Sequence, residues 1–373
     1  MKIFTFGIQS FEKFKKNLTM ALNLRAKLFS AVAGISLFGT VAAQDIHFSQ
    51  YYTFASAMNP ALVGNYDGSY RLAALYRNQW GSMLAGKAYQ TVAADVDVSF
   101  LENYLRTDKL AVGVGFYNDI SGQAGLSVLN ASLSVAYHKG IDKDGKHRLS
   151  FAAQGAYVQK RVTDPLFADQ FQGHDQTVRN YTNEQLQKGK HAFDFNAGLY
   201  WRSNIKDKVK LNAGFAVYHI VQPKEDFIKD SLDVLGNFTR RFVADLSIEA
   251  FLTKKKNVSI TPEFIFQYKD KQMEAVPGLL VSYYFNTGFR NNNSVHLGGR
   301  YRIGNGMDKI GDAFVVLAQV EFKNVRLGFA YDVNLSKLSV GTQNRGGFEI
   351  SLSYIGESIK SFKANKSLPS RRF

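Results

Sequence analysis

The sequence predicts an all-β protein: a transmembrane antiparallel outer-membrane β-barrel of about 14 strands with an N-terminal plug-like segment. Three observations carry that expectation. Alternation of apolar and polar residues recurs in segments of roughly ten, the length at which a tilted strand crosses a bilayer. Aromatic residues gather at the segment ends. The first 43 residues have the order of an export signal.

The alternation is regular. In 209–217, Val209, Leu211, Ala213, Phe215 and Val217 oppose Lys210, Asn212, Gly214 and Ala216. In 325–333, Val325, Leu327, Phe329, Tyr331 and Val333 oppose Arg326, Gly328, Ala330 and Asp332. The stretch 193–202 sets Phe193, Phe195, Ala197, Leu199 and Trp201 against Asp194, Asn196, Gly198, Tyr200 and Arg202. The stretch 258–268 sets Val258, Ile260, Phe264, Phe266 and Tyr268 against Ser259, Thr261, Glu263 and Gln267.

A soluble sandwich alternates too, with its apolar face inward. Three features favour the membrane, where the apolar face meets lipid. Aromatics at segment ends (Tyr76, Trp80, Phe116, Tyr117, Tyr137, Trp201, Tyr218, Tyr283, Tyr284, Tyr331, Tyr354) suit an interfacial girdle. Glycine and alanine recur on the polar face, as a crowded lumen requires. An export signal without cysteine supplies a route to the outer membrane and no disulfide framework.

The predicted strands are 69–80, 87–99, 109–120, 125–139, 146–161, 190–204, 207–219, 237–251, 256–269, 271–286, 294–303, 310–321, 323–332 and 346–356. An even number puts both barrel termini on the periplasmic side. The long connections 162–189, 220–236 and 333–345 are then the fifth, seventh and thirteenth, all on the outer face. Inner connections are short: Gly140–Gly145, Ile205-Lys206, Leu252–Lys255 and the turn at Phe322.

At the N-terminus, Arg25 and Lys27 precede an uncharged run from Leu28 to Val41, followed by Ala42-Ala43. That is a signal peptide over 1–43, cleaved after Ala43, whose apolar core falls short of the roughly 20 residues of a spanning helix. Met20 serves as a start as well as Met1. Residues 44–68, with Asn59-Pro60 and Gly64, form an N-terminal periplasmic or plug segment. Residues 69–356 form the barrel, and 357–373 a basic periplasmic tail carrying Lys360, Lys363, Lys366, Arg371 and Arg372. The formal charge of +15 falls to about +10 once 1–43 is removed. An exported chain of that charge suits anionic lipid or peptidoglycan, and no nucleic acid is expected.

Catalytic motifs are absent: there is no Gly-x-Ser-x-Gly elbow, His-Glu-x-x-His helix or phosphate-binding Gly-Lys-Ser/Thr loop. The histidines (His47, His138, His147, His174, His191, His219, His296) never take paired-ligand spacing. Glu225, Asp226, Asp230 and Asp233 lack a calcium-loop pattern. Inward-facing Asp194, Glu249, Glu263, Arg300, Arg302, Glu321 and Arg326 are expected to pair inside the barrel, because lumenal charges need partners. No catalytic, cofactor or metal residue is proposed, and the protein reads as a non-enzyme.

Several motifs in one order resemble the PorP/SprF family of outer-membrane proteins associated with type IX secretion. They are Asp45-Ile46-His47-Phe48-Ser49-Gln50-Tyr51-Tyr52, Met58-Asn59-Pro60-Ala61 with Gly64, Tyr76-Arg77-Asn78-Gln79-Trp80 and Asp194-Phe195-Asn196-Ala197-Gly198-Leu199-Tyr200. Next come Gly214-Phe215-Ala216-Val217-Tyr218-His219, Gln222-Pro223-Lys224-Glu225-Asp226-Phe227 and Pro262-Glu263-Phe264. Gly299-Arg300-Tyr301-Arg302, Gly311-Asp312-Ala313-Phe314 and Gly328-Phe329-Ala330-Tyr331-Asp332 complete the set. The resemblance covers 45–356, with a small insertion at Asn305–Ile310.

From the motifs, the candidates for partner contact are Phe48, Ser49, Gln50, Tyr51, Asn59, Pro60, Arg77, Trp80, Tyr218, His219, Gln222, Pro223, Arg300 and Asp312. Physically, Asn59-Pro60 reads as an extended turn. Arg77 and Trp80 suit either an interface anchor or a lumen pair. The run after His219 suits either a contact loop or plain loop structure.

The resemblance implies an accessory of type IX secretion and of surface adhesin display in gliding bacteria. Its implied partners are a large secreted surface protein with a C-terminal sorting domain, periplasmic ring lipoproteins and peptidoglycan-binding components. A fatty-acid-transporter-like channel for hydrophobic solutes is the alternative, and a peptidoglycan-tethering barrel without cargo is a third reading.

Overall fold

The computed structural model describes residues 46–81, 89–100, 107–121, 125–162, 190–223, 238–270, 272–285, 293–304, 311–336 and 343–357. The stretch expected to be a signal peptide, the acidic loop residues, the Asn305–Ile310 stretch and the residues beyond Glu357 lie outside them.

Fourteen antiparallel strands close into one barrel in simple meander order, β1 pairing with β14. They are β1 (Tyr70–Gln79), β2 (Tyr89–Phe100), β3 (Lys109–Ser121), β4 (Leu126–Gly140), β5 (His147–Val162), β6 (Lys190–Ile205) and β7 (Val209–Tyr218). The second half comprises β8 (Arg241–Phe251), β9 (Val258–Lys269), β10 (Gln272–Tyr284), β11 (Ser294–Gly304), β12 (Ala313–Phe322), β13 (Val325–Asn334) and β14 (Arg345–Gly356). Each lies where the alternation placed it, with shifts of a few residues at the ends, largest at the start of β8. Closure leaves no unpaired strand edge, which hydrocarbon would not tolerate. No helix among the described residues is long and apolar enough to cross a membrane.

The outward positions carry the apolar set. Phe193, Phe195, Leu199 and Trp201 of β6 are exposed while Asp194, Asn196 and Tyr200 between them are buried. Leu133, Leu297, Leu327 and Leu352 are each half exposed on other strands. This arrangement inverts a soluble core and matches a lipid-facing band. Among the described residues, a register irregularity falls near the outer end of β13, between Tyr331 and Val333.

Two expectations about aromatics and the lumen need correction. Tyr117, Tyr218 and Tyr284 do not belong to an interfacial girdle. Tyr117 packs edge-on against Phe54, and the Tyr218 and Tyr284 hydroxyls donate inward to Ser56 and Glu249. Strand parity, not proximity to a strand end, sets the face. The lumen is also more apolar than a polar or small-residue face implies: Leu75, Ile265, Val276, Leu280, Val315 and Leu317 point inward and are buried.

Leu75, Ile265 and Val276 pack against the segment Ile46–Gly68, whereas Leu280, Val315 and Leu317 cluster with Ala330 on the wall. The segment is irregular apart from a helical turn, Ala55–Met58, and a 3₁₀ turn, Pro60–Leu62. Tyr51, Tyr52, Ala55, Met58, Ala61 and Leu62 form one cluster with Tyr200, Ile265 and Val276 of the wall. Phe54 packs with Leu75 and Ala93, and Val63 with Ala111 and Ala136. The principal packed interior of the barrel is therefore built between this segment and the strands.

The connections set the orientation. The long ones, 163–189, 219–240 and 335–344, all join strands at the end where Gln79 finishes β1, so that end is extracellular by the usual rule for outer-membrane barrels.

Candidate functional site

The segment's unpaired backbone groups need partners inside a barrel, and inward-facing charges supply them at three heights. In the extracellular half, Glu349 of β14 accepts two consecutive backbone N–H groups, from Ser49 at 2.6 Å and Gln50 at 2.8 Å. Arg77 of β1 donates to Glu349 at 2.6 Å and to Asp332 of β13 at 2.9 Å. The Ser49 hydroxyl donates to Asp332 and accepts from Arg77 and Arg302. Arg302 of β11 also reaches Asp332 at 3.2 Å, and lies 3.7 Å from both Glu274 and Asp312. His47 completes the group, 3.1 Å from Glu274. Two arginines thus neutralise the carboxylates that grip the segment, as buried charges require.

At mid-height, Arg300 donates to Glu263 at 2.6 Å and to the Ser49 carbonyl, with its guanidinium 4.1 Å over the Tyr51 ring. Asp95 of β2 accepts from the Ser56 N–H and hydroxyl. Tyr218 and Gln154 donate to the Ser56 carbonyl, and Arg241 donates to that of Ala57. Asn59 works in two directions: its Oδ1 caps the 3₁₀ turn by accepting from Ala61 N–H, and its Nδ2 donates to the Leu199 carbonyl. Pro60 opens that turn, where its missing N–H costs nothing.

In the periplasmic half, Asp97 takes a two-pronged bond from Arg71 and the N–H of Gly64 at 2.6 Å. Lys109 donates to the Tyr66 carbonyl, and His138 bridges the Val63 carbonyl to the Ser150 hydroxyl. Gly64 holds φ +71°, and a Cβ there would collide with Ala111. Glycine meets both demands at once.

The fourteen candidate residues therefore divide. Ser49, Gln50, Tyr51, Asn59, Pro60, Arg77, Tyr218 and Arg300 are buried or nearly so and hold the segment to the wall. Phe48 packs edge-on against Phe54. Arg77, open between anchor and lumen pair from sequence, is a lumen pair. Trp80 instead follows β1 with φ +58° and packs edge-on against Tyr89. His219, also at positive φ, donates its backbone N–H to Asn196 and pairs its ring with Asp194 at 2.8 Å. Gln222 and Pro223 are partly exposed at the outer rim, and Asp312 is exposed there.

The lumenal charges expected to pair do so: Asp194 with His219, Glu249 with Lys210, Glu263 with Arg300, Asp332 with Arg302, Glu321 with Arg326. Sequence reasoning missed Glu349, Asp97, Arg71 and Asp95 as segment-holding groups. Each is a charge at an inward position of a strand, a signal that parity alone makes readable. Among the described residues no group of three His, Cys, Asp or Glu side chains could hold a metal ion. What the arrangement does chemically is bind a polypeptide segment within the barrel, using its backbone as much as its side chains.

A family model described as type IX secretion system membrane protein PorP/SprF matches residues 40–354. The chain belongs to this family. The match spans the lumenal segment and all but the last two residues of the PorP/SprF barrel. No curated protein matches the sequence. Among solved structures, the barrel is similar to the Pseudomonas putida toluene transporter TodX, with 10% identity and a TM-score of 0.47 over 86% of this chain and 96% of that one. It is similar to the Ralstonia pickettii toluene transporter TbuX with the same identity and coverages and a TM-score of 0.46. A Pseudomonas aeruginosa FadL homologue matches at 10% identity and a TM-score of 0.46, over 79% of this chain and 92% of that one. These are distant likenesses between barrels. Family membership with the lipid-facing barrel places the protein in the outer membrane, implies interaction with type IX secretion components and suggests a non-enzymatic role.

Proposed function

We propose that this PorP/SprF barrel is a non-catalytic outer-membrane anchor for a large secreted surface protein with a C-terminal sorting domain. Its periplasmic face, with the basic tail 357–373, docks on ring lipoproteins and peptidoglycan-binding components, and its use extends to gliding motility where the cargo is an adhesin. In this reading residues 1–43 are a cleaved signal peptide and the lumenal segment is a plug.

One observation supports an anchor above a channel. The buried ion pairs and hydrogen bonds that hold Ser49–Tyr66 run through all three heights of the barrel. A hydrophobic solute would have to displace that chain and strip charges of their partners, which costs several kcal/mol for each ion. Partner contact then falls to groups that reach the surface, among them Gln222, Pro223 and Asp312, while buried candidates such as Arg77 and Asn59 maintain the scaffold.

The test is a mild-detergent pull-down of the tagged protein from its own cells, read by mass spectrometry. Recovery of one large C-terminally sorted protein, with ring components, supports the anchor. A barrel recovered alone, together with solute uptake in liposomes, would replace it with the channel.

A further inference from the structure

The lumenal segment crosses the barrel in one direction, and that direction is informative. Its contacts descend in order. Ser49 and Gln50 bind Glu349 and Asp332 in the extracellular half, Ser56 binds Asp95 at mid-height, and Gly64 and Tyr66 bind Asp97 towards the periplasm. Ser69 then donates to the Gly356 carbonyl, at the end where β14 leaves the barrel. Upstream of Ser49 the contacts stay high: His47 lies against Glu274, two residues from the outer start of β10. Ile46 and Phe48 pack against the cluster of Phe54, Leu75 and Ala93, which Tyr117 in the outer half of β3 also covers.

We infer that Ile46–Phe48 belongs to the extracellular face and forms, with the outer ends of β10, β11 and β13, part of the surface that receives the secreted polypeptide. This inference rests on the anchor reading for its partner. Its placement rests on the contacts alone. The chemistry of that rim suits a polypeptide. Asp312 is exposed and His47 partly so, above the largely buried Arg302–Glu274 pair, so both signs of charge lie within a few ångströms beside the Gln79 amide. A polyanion such as a lipid A headgroup would instead call for a rim of one sign. Because the same residues continue into the Ser49–Glu349 grip, a partner bound here sits on the end of the segment that fills the lumen.

The chain has no cysteine, so single introduced thiols are unambiguous reporters. Intact cells carrying His47→Cys, Val221→Cys in an outer connection or Lys254→Cys in the β8–β9 turn would be treated with a membrane-impermeant polyethylene-glycol maleimide. The expected result is labelling of H47C and V221C on intact cells, and of K254C only after permeabilisation. Labelling of H47C that follows K254C would overturn the placement. A His47→Cys, Glu274→Cys pair guards against a shielded thiol: a small membrane-permeant bis-maleimide should join them, and absence of both crosslink and labelling also overturns it.

Contact is read separately. A polyethylene-glycol adduct at residue 47 should cut co-purification of the surface protein about tenfold, and an adduct at residue 254 should leave it unchanged. Undiminished co-purification with the adduct at 47 overturns the contact and leaves the anchor standing. If the unmodified protein recovers no surface protein, the anchor and the contact fall together, and the labelling still decides the placement.

Discussion

Arg77 and Glu349 face each other across the seam where the first and last strands meet, paired in register and bonded at 2.6 Å. Glu349 also holds the backbone N–H groups of Ser49 and Gln50. One ion pair therefore joins barrel closure to the seating of the lumenal segment. Arg77→Ala would leave the buried Glu349 without a cationic partner and Asp332 with Arg302 alone. Loss of about 3–5 kcal/mol is expected, the cost of breaking a buried pair from one side. The check is the temperature at which the detergent-solubilised barrel loses its compact gel mobility. The pair Arg77→Met, Glu349→Gln should cost less than R77A, since no charge is left alone and the residue 349 amide oxygen still accepts from the segment's backbone.

Asn59→Ala removes a turn cap and the bond to the Leu199 carbonyl together. Each is worth about 1 kcal/mol, so the expected loss is roughly 2 kcal/mol. Asn59→Asp keeps the cap oxygen but turns a second carboxylate oxygen towards the Leu199 carbonyl in a buried site, and should cost more than Asn59→Ala. Chemical denaturation of the refolded barrel separates the three.

Gly64→Val combines a left-handed backbone with a collision against Ala111. The periplasmic end of the segment should lose its seat while the strands still pair. Limited proteolysis should then cut near residue 64 in the variant and leave the wild-type protein whole.

The two faces of β4 give a lipid test. Leu133 lies outward and half exposed at the middle of the strand, and Ser134 beside it is fully buried. Leu133→Arg should cost about 2–4 kcal/mol in bilayers. The penalty should shrink in detergent micelles that let the arginine reach water. Equal loss in both would argue against a bilayer-facing Leu133.

Asp108, in the periplasmic turn before β3, carries the pH prediction. Burial pushes its pKa up, but hydrogen bonds from Lys139, Tyr137 and the Gly140 N–H outweigh that and hold it below the ordinary value. A depressed folded-state pKa contributes stability that is present above the unfolded value near pH 4 and lost as pH falls through the folded one. Asp108→Asn should therefore lower the melting temperature at neutral pH, and the difference from wild type should shrink on acidification below about pH 4. A difference independent of pH would remove the ionic account.

The strand number, the outward apolar face and the charges that would need lumenal partners were all readable in the sequence, because a strand in a bilayer repeats every two residues. Val325, Leu327 and Phe329 point to lipid for that local reason, and Asp332 points inward for the same one. The positions of the long connections followed from the strand count.

Which groups meet across the lumen was decided only by the tertiary structure. Arg77 reaches Glu349, 272 residues along the chain, and Asp95 reaches Ser56, because barrel closure and the path of the segment bring them together. Tyr117 and Tyr218 read as girdle residues until their parity and their inward neighbours were fixed. The irregular stretch 46–68 has no period of its own. Its path depends on the carboxylates, carbonyls and apolar side chains that strands far away in sequence present to it, and no local pattern encodes those.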